Sequence, residues 1–235
     1  MRSCLIQLLL TGAVIFAALW FGLPFGASWL ATNALGAVGF SGTNTTVEVK
    51  ANLPPRILTG YADSIHLTST DVGIGDLHAA NIELTLAGVQ LFNRTIGTVH
   101  GTLGGVRVPD PDGQPITFET VNVDGDARHA AATLAISNAE ATRLAVSQLK
   151  AHGIAGTVTF AAPDKVVVTV AGKPQACRLR VFNGALVLVP DGNALPILTL
   201  IAPGDGNPFQ LSSASVGAKS LTLAGTIDLQ TLLGI

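Results

Sequence analysis

Charge is what this chain of 235 residues has least of: Asp, Glu, Lys and Arg together make up 12%, about half of the roughly 25% usual in globular domains. Arg2 is the only charged residue before Glu48. The net charge is -2, and no basic tract occurs anywhere. That excludes nucleic acid as an expected partner, and it argues against a strongly electrostatic hold on anionic headgroups. Cysteine is nearly absent. Cys4 lies in the apolar leader and Cys177 in the domain, so the domain has no internal disulfide. Cys4 is too near the start to follow a full signal sequence and is not read as a lipidation site. Cys177 stands in the strand-like run Gln175 to Phe182, where it reads as a small core hydrophobe.

The motifs of common catalysts are missing as well. Five histidines, His66, His78, His100, His129 and His152, are scattered. None has the spacing of a zinc helix, and no CxxC pair exists. His66 and His78 read as surface residues of strands. No GxSxG elbow is present. Gly73-Ile74-Gly75 lacks the third glycine of a dinucleotide loop and opens no helix. The acidic residues gather in turns: Asp110-Pro111-Asp112-Gly113, Asp124-Gly125-Asp126, Asp191-Gly192 and Asp205-Gly206. The first lacks the ligand set and closing Glu of a calcium loop. The expectation is a protein that is not an enzyme, with no metal and no cofactor. Asn44-Thr45-Thr46 and Asn93-Arg94-Thr95 fit the glycosylation pattern, which would mean little were the protein bacterial.

What is present in quantity is apolar surface, 48% of all residues. Leu5 to Leu23 carries no charge and approaches the roughly 20 residues of a transmembrane helix. Trp20, Phe21, Phe25 and Trp29 stand at its far end, where aromatics favour the bilayer interface. Residues 1–30 are therefore read as a membrane anchor, with a cleaved signal peptide as the alternative. Both readings place the rest of the chain outside the cytoplasm: at the cell membrane as a single-pass protein, or secreted or periplasmic. Residues 31–44 are small and Gly-rich and read as a linker. About 190 residues remain, enough for one domain with its own core.

Residues 45–235 are dominated by Ala, Thr, Val, Leu and Gly, which suit strands better than exposed helices. Ile82, Leu84 and Leu86 alternate with Glu83 and Thr85, the pattern of a half-buried strand. Val47–Lys50, Ser64–Asp71, Ile116–Val123, Ala127–Ile136, Gly156–Phe160, Lys165–Ala171, Gln175–Phe182, Ala185–Val189, Phe209–Ser215 and Ser220–Leu229 are strand-like too. Glycines at 97, 101, 104 and 105 interrupt Ile96–Val108 and predict bulges or bends. Asp124-Gly125 and Asn183-Gly184 predict hairpins. Ser137-Asn138-Ala139-Glu140 is a capping box. It opens a helix to about His152, stopped by Gly153, with Ala141, Leu144, Ala145, Gln148 and Leu149 on one face. A second short helix is expected over 194–201. The order predicts an α+β fold dominated by a curled antiparallel β-sheet, with one clear amphipathic helix, behind an N-terminal transmembrane helix.

A family resemblance rests on several of these stretches taken in order. They are Val47 to Gly60 (VEVKANLPPRILTG), Ile65 to Leu67, Val72-Gly73-Ile74, Leu86-Ala87-Gly88-Val89, Leu134 to Glu140, Asn183 to Pro190 and Ser220 to Gly225. Together they resemble the LmeA-like family of bacterial envelope proteins. Pro55 follows Pro54 where that family often carries an aromatic residue. The resemblance implies phospholipid binding and a part in envelope maintenance, and it brings no catalytic residue with it.

Three functions are weighed, the third being an enzyme, such as a glycan or lipid hydrolase, for which the sequence offers no converging carboxylates or nucleophile–base pair. In the first, the domain binds a phospholipid or other acyl-chain ligand between the apolar face of the sheet and a covering helix. Ile82, Leu84, Leu86, Leu144, Leu149, Phe160, Val168 and Leu186 form the candidate lining. In the second, the same residues are an ordinary packed core, and the domain is a structural or interaction module of an envelope assembly. Alternation shows which residues face inward, and not whether the interior is hollow.

Overall fold

Alternation of apolar and polar residues organises most of the chain into strands. A computed structural model describes residues 40–74, 77–90, 93, 95–109, 114–161, 164–192, 195–202 and 209–228. The leader, residues 31–39 of the linker, Asp110 to Gly113 and Asp205-Gly206 lie outside the described residues. Among the described residues no helix is long and apolar enough to cross a membrane.

The strands are β1 (Phe40–Lys50), β2 (Tyr61–Ile74), β3 (Leu77–Gln90), β4 (Thr98–Val108), β5 (Ile116–Asp126) and β6 (Ala130–Ser137), then helix α1 (Asn138–Ala151). After it come β7 (Gly156–Ala161), β8 (Lys165–Val170), β9 (Lys173–Phe182), β10 (Ala185–Pro190), β11 (Leu198–Ile201), β12 (Phe209–Val216) and β13 (Ser220–Ile227). A 3-10 turn, Pro54–Thr59, links β1 to β2. All strand pairs are antiparallel and form two sheets. The larger has eight strands in the order β1-β2-β3-β4-β5-β6-β13-β12, and the smaller has five, β11-β10-β9-β8-β7. Among the described residues the expected α+β class, dominated by curled antiparallel sheet with one helix, is what the chain adopts.

The curl of the large sheet has a local cause. In β2 the buried face steps from Ser69 to Val72, in β3 from Ile82 to Ala79, and in β5 from Val121 to Phe118. In β4 it steps from Leu103 to Val106. Each step is three residues where a flat strand would need two. The four steps lie side by side, because the registers from β2 to β5 carry straight through them. Asp71 (φ 50°) and Gly105 (φ 60°) sit in the step with left-handed backbone, which breaks the regular pleat there. One aligned row of steps therefore bends the sheet across β2 to β5.

Gly225 marks a second constraint. A Cβ built there would run into the Gln210 carbonyl oxygen and lie 3.1 Å from the Leu211 Cα. This falls beside the register shift between Leu211 and Ser213. Gly225→Ala should cost about 1–3 kcal/mol through backbone displacement, read as a drop in the thermal midpoint. An unchanged midpoint would contradict the close approach of β12 and β13.

α1 touches β7 and β11, the two outer strands of the small sheet, and also β6 and β13. The five-stranded sheet thus curls around the helix. Ala141, Ala145 and Leu149 are at most 1% exposed, in one core with Val158, Phe160, Val168, Leu186, Leu188 and Leu198. β9 and β10 reach β12, and the Val216 amide donates to Asp164 Oδ1 at 2.8 Å, tying the small sheet to the large one. Ser137 Oγ accepts from the Glu140 amide at 3.1 Å, as the capping box predicts, and Gly153 (φ 70°) follows the C-cap His152.

The Glu140 carboxylate does not return to the cap, as a full capping box requires. It accepts two bonds from Arg143, at 2.7 and 2.9 Å, and one from the Thr117 amide at 3.0 Å. Arg143 also donates to the Pro115 carbonyl at 3.1 Å. The helix start is therefore clamped to the start of β5. Hydrogen bonding from Arg143 lowers the Glu140 pKa below its ordinary 4.5, against the opposing effect of burial. Glu140 therefore stabilises the fold above its ordinary range, and that contribution fades as pH falls through the lowered folded value. An acid titration of stability should show this component in the native chain and lack it in Glu140→Gln.

Three expectations need correction. Leu198–Ile201 is strand β11, not part of a helix over 194–201 (residue 194 itself lies outside the described residues). Leu198 and Leu200 both enter the core at strand spacing while Ile197 stays 59% exposed, and this period of two overrides helix propensity. Asp124-Gly125 is not a hairpin turn. β5 continues to Asp126, whose Oδ1 accepts from the Arg128 amide at 2.8 Å and turns the chain there. β1 begins at Phe40, so residues 40–44 belong to a strand and not to a linker. Asn183-Gly184 does join β9 to β10, with Phe182 opposite Ala185.

Candidate functional site

The inner face of the large sheet can be followed strand by strand. One row runs Val47, Leu67, Leu84, Gly101, Val123, Ala132, Gly225, Leu211. Beside it Val49, Ile65, Leu86 and Val99 are paired in turn. On its other side Ser69, Ile82, Leu103, Val121, Leu134 and Leu223 are paired in turn. None of these residues is charged. The outer face carries the opposite chemistry: Glu48, His66, Thr85, His100 and Asp124 form one cross-strand line. His66 Nδ1 lies 3.0 Å from Thr85 Oγ1, and His100 Nδ1 lies 3.0 Å from Asp124 Oδ1. These two histidines serve the polar surface.

The inner face is not covered evenly. Beyond the row of steps it joins the main core through Val72, Ala79, Val106, Phe118, Ile136 and Leu221, all buried. On the near side Ile65, Leu67, Leu84, Leu86, Leu103 and Val121 are only half-buried. Val47, Val49, Ala62 and Val89 form a separate small cluster here, with Ile57 of the 3-10 turn against it. α1 packs on β6 and β13, at the other side of the sheet. The near half is a partly covered apolar face, with Leu84, Leu86, Leu103 and Val121 packed against Val99, Val123 and Ala130. On the concave side of the sheet it forms a shallow apolar trough, whose polar member Ser69 is 3% exposed and bonded to Thr45 Oγ1 (2.7 Å) and the Thr43 carbonyl (3.2 Å).

The eight candidate lining residues divide accordingly. Leu84 and Leu86 lie in the trough. Ile82 is 4% exposed and belongs to the same core cluster as Leu149, Phe160, Val168 and Leu186, with Leu84 packed against it. Leu144 is 4% exposed on α1. α1 lies mainly against β7 and β11 and touches the large sheet at β6 and β13. Sequence reasoning missed Ile57, Val47 and Val49 as partners of Ile65, Leu67 and Leu86, and Leu103, which packs with Leu84 against Val99, Val123 and Ala130. Ile65 and Leu67 showed their alternation, but only pairing with β3 places them beside Leu84 and Leu86.

At the rim, one pair beyond Ala62 and Val89, Tyr61 faces Gln90. With Arg56, Thr59 and Asn93 they line an open pocket of about 290 Å³. Arg56 stacks on the Tyr61 ring, 4.1 Å from its centre. This pocket is separate from the apolar rows. Cys177 is 5% exposed, and burial, with Asp191 nearby, pushes its thiol pKa up, which disfavours the reactive thiolate. No three His, Cys, Asp or Glu side chains among the described residues come together as a metal site.

No family model, curated protein or solved structure matches the chain. The trough must therefore be interpreted from its own chemistry. It offers apolar contact over a curved surface and almost no hydrogen-bonding group.

Proposed function

We propose that the domain binds a phospholipid or other acyl-chain ligand in this trough, as a non-catalytic protein held at the outer side of a bacterial cell membrane and serving envelope maintenance. The observation that carries the reading is the uncharged, half-exposed row Leu67–Leu84 and its neighbours Ile65 and Leu86. A polypeptide segment laid there would bury backbone N–H and C=O groups with no partners. An alkyl chain has no such groups, and it is flexible enough to follow a folded sheet. Ten buried methylenes would contribute about 8 kcal/mol, before the cost of ordering the chain. The resemblance to LmeA-like proteins points the same way.

The test is native mass spectrometry of the full chain, released from detergent micelles in the gas phase. Retention of one phospholipid per chain is expected. A bare mass under the same release conditions, with no lipid regained from added vesicles, would favour an interaction module whose partner is a protein.

A further inference from the structure

The 3-10 turn divides its side chains in a way the trough does not require. Ile57 points to the apolar cluster under β1 and β2, and Arg56 lies over the Tyr61 ring. Leu53, which precedes the turn, is 53% exposed, and Leu58, within it, is 61% exposed. Two large aliphatic side chains held in water on one short turn are costly unless something covers them. The turn is not loose: the Arg56 amide donates to the Leu53 carbonyl at 2.9 Å, the Gly60 amide to the Ile57 carbonyl at 2.9 Å, and Thr59 Oγ1 to the Arg56 carbonyl at 2.7 Å. The Asn52 amide is held by the Asp63 carboxylate. The leucines are presented by a fixed frame at the mouth of the trough, with a cation and an amide-lined pocket beside them.

We infer that this tip is the surface through which the domain meets a phospholipid bilayer, with Leu53 and Leu58 entering the interface and one headgroup phosphate seated in the pocket of Arg56, Thr59, Tyr61, Gln90 and Asn93. The combination is what selects this partner. Arginine gives a planar donor set suited to phosphate. Tyr61 stacks on it and belongs at an interface where one end is apolar and the other wet. Paired leucines gain only where there is hydrocarbon to enter. Arg56, the one cation among the described residues that line the pocket, matches a bilayer held by insertion, in a chain too poor in basic residues for attraction at a distance. The inference rests on the lipid-binding reading to this extent: a tip in the membrane would place the trough's mouth where an acyl chain could leave the bilayer.

The experiment uses the full chain reconstituted into vesicles of phosphatidylcholine with a minor fraction of phosphatidylglycerol. An environment-sensitive fluorophore is attached at Leu58→Cys in a Cys4→Ser background. A parallel sample carries it at Phe182→Cys, an equally exposed position (68%) on the small sheet. Blue-shifted emission and strong quenching by lipids spin-labelled near the headgroup are expected at 58 and not at 182. Arg56→Gln should lower the ratio of docked to free tips about fivefold, as expected for one basic residue at a lipid surface. Equal, weak quenching at both positions would overturn the inference, and so would an Arg56→Gln chain that docks as well as the parent. Lipid retention by the same samples is scored separately. A docked tip on a chain that retains no lipid would sustain the docking surface while removing the acyl-binding reading, and the reverse result would do the opposite.

Discussion

If the trough holds an acyl chain as proposed, Leu84→Lys is expected to abolish lipid retention while leaving the fold in place. Leu84 lies on the inner face between Leu67 and Gly101, half-buried and packed at the edge of two core clusters, where a long aliphatic stem can keep part of its contact. A lysine there must either hold its ammonium group against an acyl chain or displace the chain. Burying a charge without a partner costs several kcal/mol, which corresponds to a loss of affinity of more than about a hundredfold. The control is Thr85→Lys, one residue along on the polar face beside His66 and His100. Native mass spectrometry should find lipid on the Thr85→Lys chain and none on the Leu84→Lys chain. Lipid on both would move the ligand away from β3.

Leu149→Ala should give the converse result. Leu149 is 0% exposed, at the end of the helix inside the curled small sheet. Truncating such a leucine costs about 2–5 kcal/mol through lost transfer energy and the cavity left behind. In a domain of this size the thermal midpoint should fall by about 4 to 20 °C, a large share of a total stability of about 5–15 kcal/mol. Lipid retention, measured well below the new midpoint, should be unchanged. If Leu149→Ala releases lipid and keeps its midpoint, the helix core is a ligand cavity and the trough is not the site.

This pairing of results exposes what the sequence could convey. Ile82, Leu84 and Leu86 announced their common face by alternation, and Ser137 with Gly153 announced both ends of the helix. Amphipathicity says that a helix face is buried without saying against what. So Leu144 and Leu149 could be placed with Phe160, Val168 and Leu186, or over Leu84, with equal justice. The deciding facts are non-local. β12 and β13 complete the large sheet, β7 and β11 embrace the helix, and neither arrangement leaves a periodic mark. The fold of the large sheet was half visible. Gly105 hinted at a bend, yet the three-residue steps in β2, β3 and β5 read as lapses in alternation until the registers set them in one row. Leu198 and Leu200 were misread because four residues after Pro196 are too few to distinguish a period of two from a turn of helix.

The central claim is that an acyl chain lies along Leu67, Leu84 and Leu86. The most direct measurement is photocrosslinking of the full chain, reconstituted in vesicles containing a phospholipid with a diazirine near the end of one acyl chain, then peptide mapping of the labelled sites. The account predicts label within β2, β3 and β4, concentrated on the inner-face residues Ile65, Leu67, Leu84, Leu86 and Leu103, and reduced in Leu84→Lys. Label confined to residues before Phe40, or spread over outer-face residues such as His66 and Thr85, would contradict it.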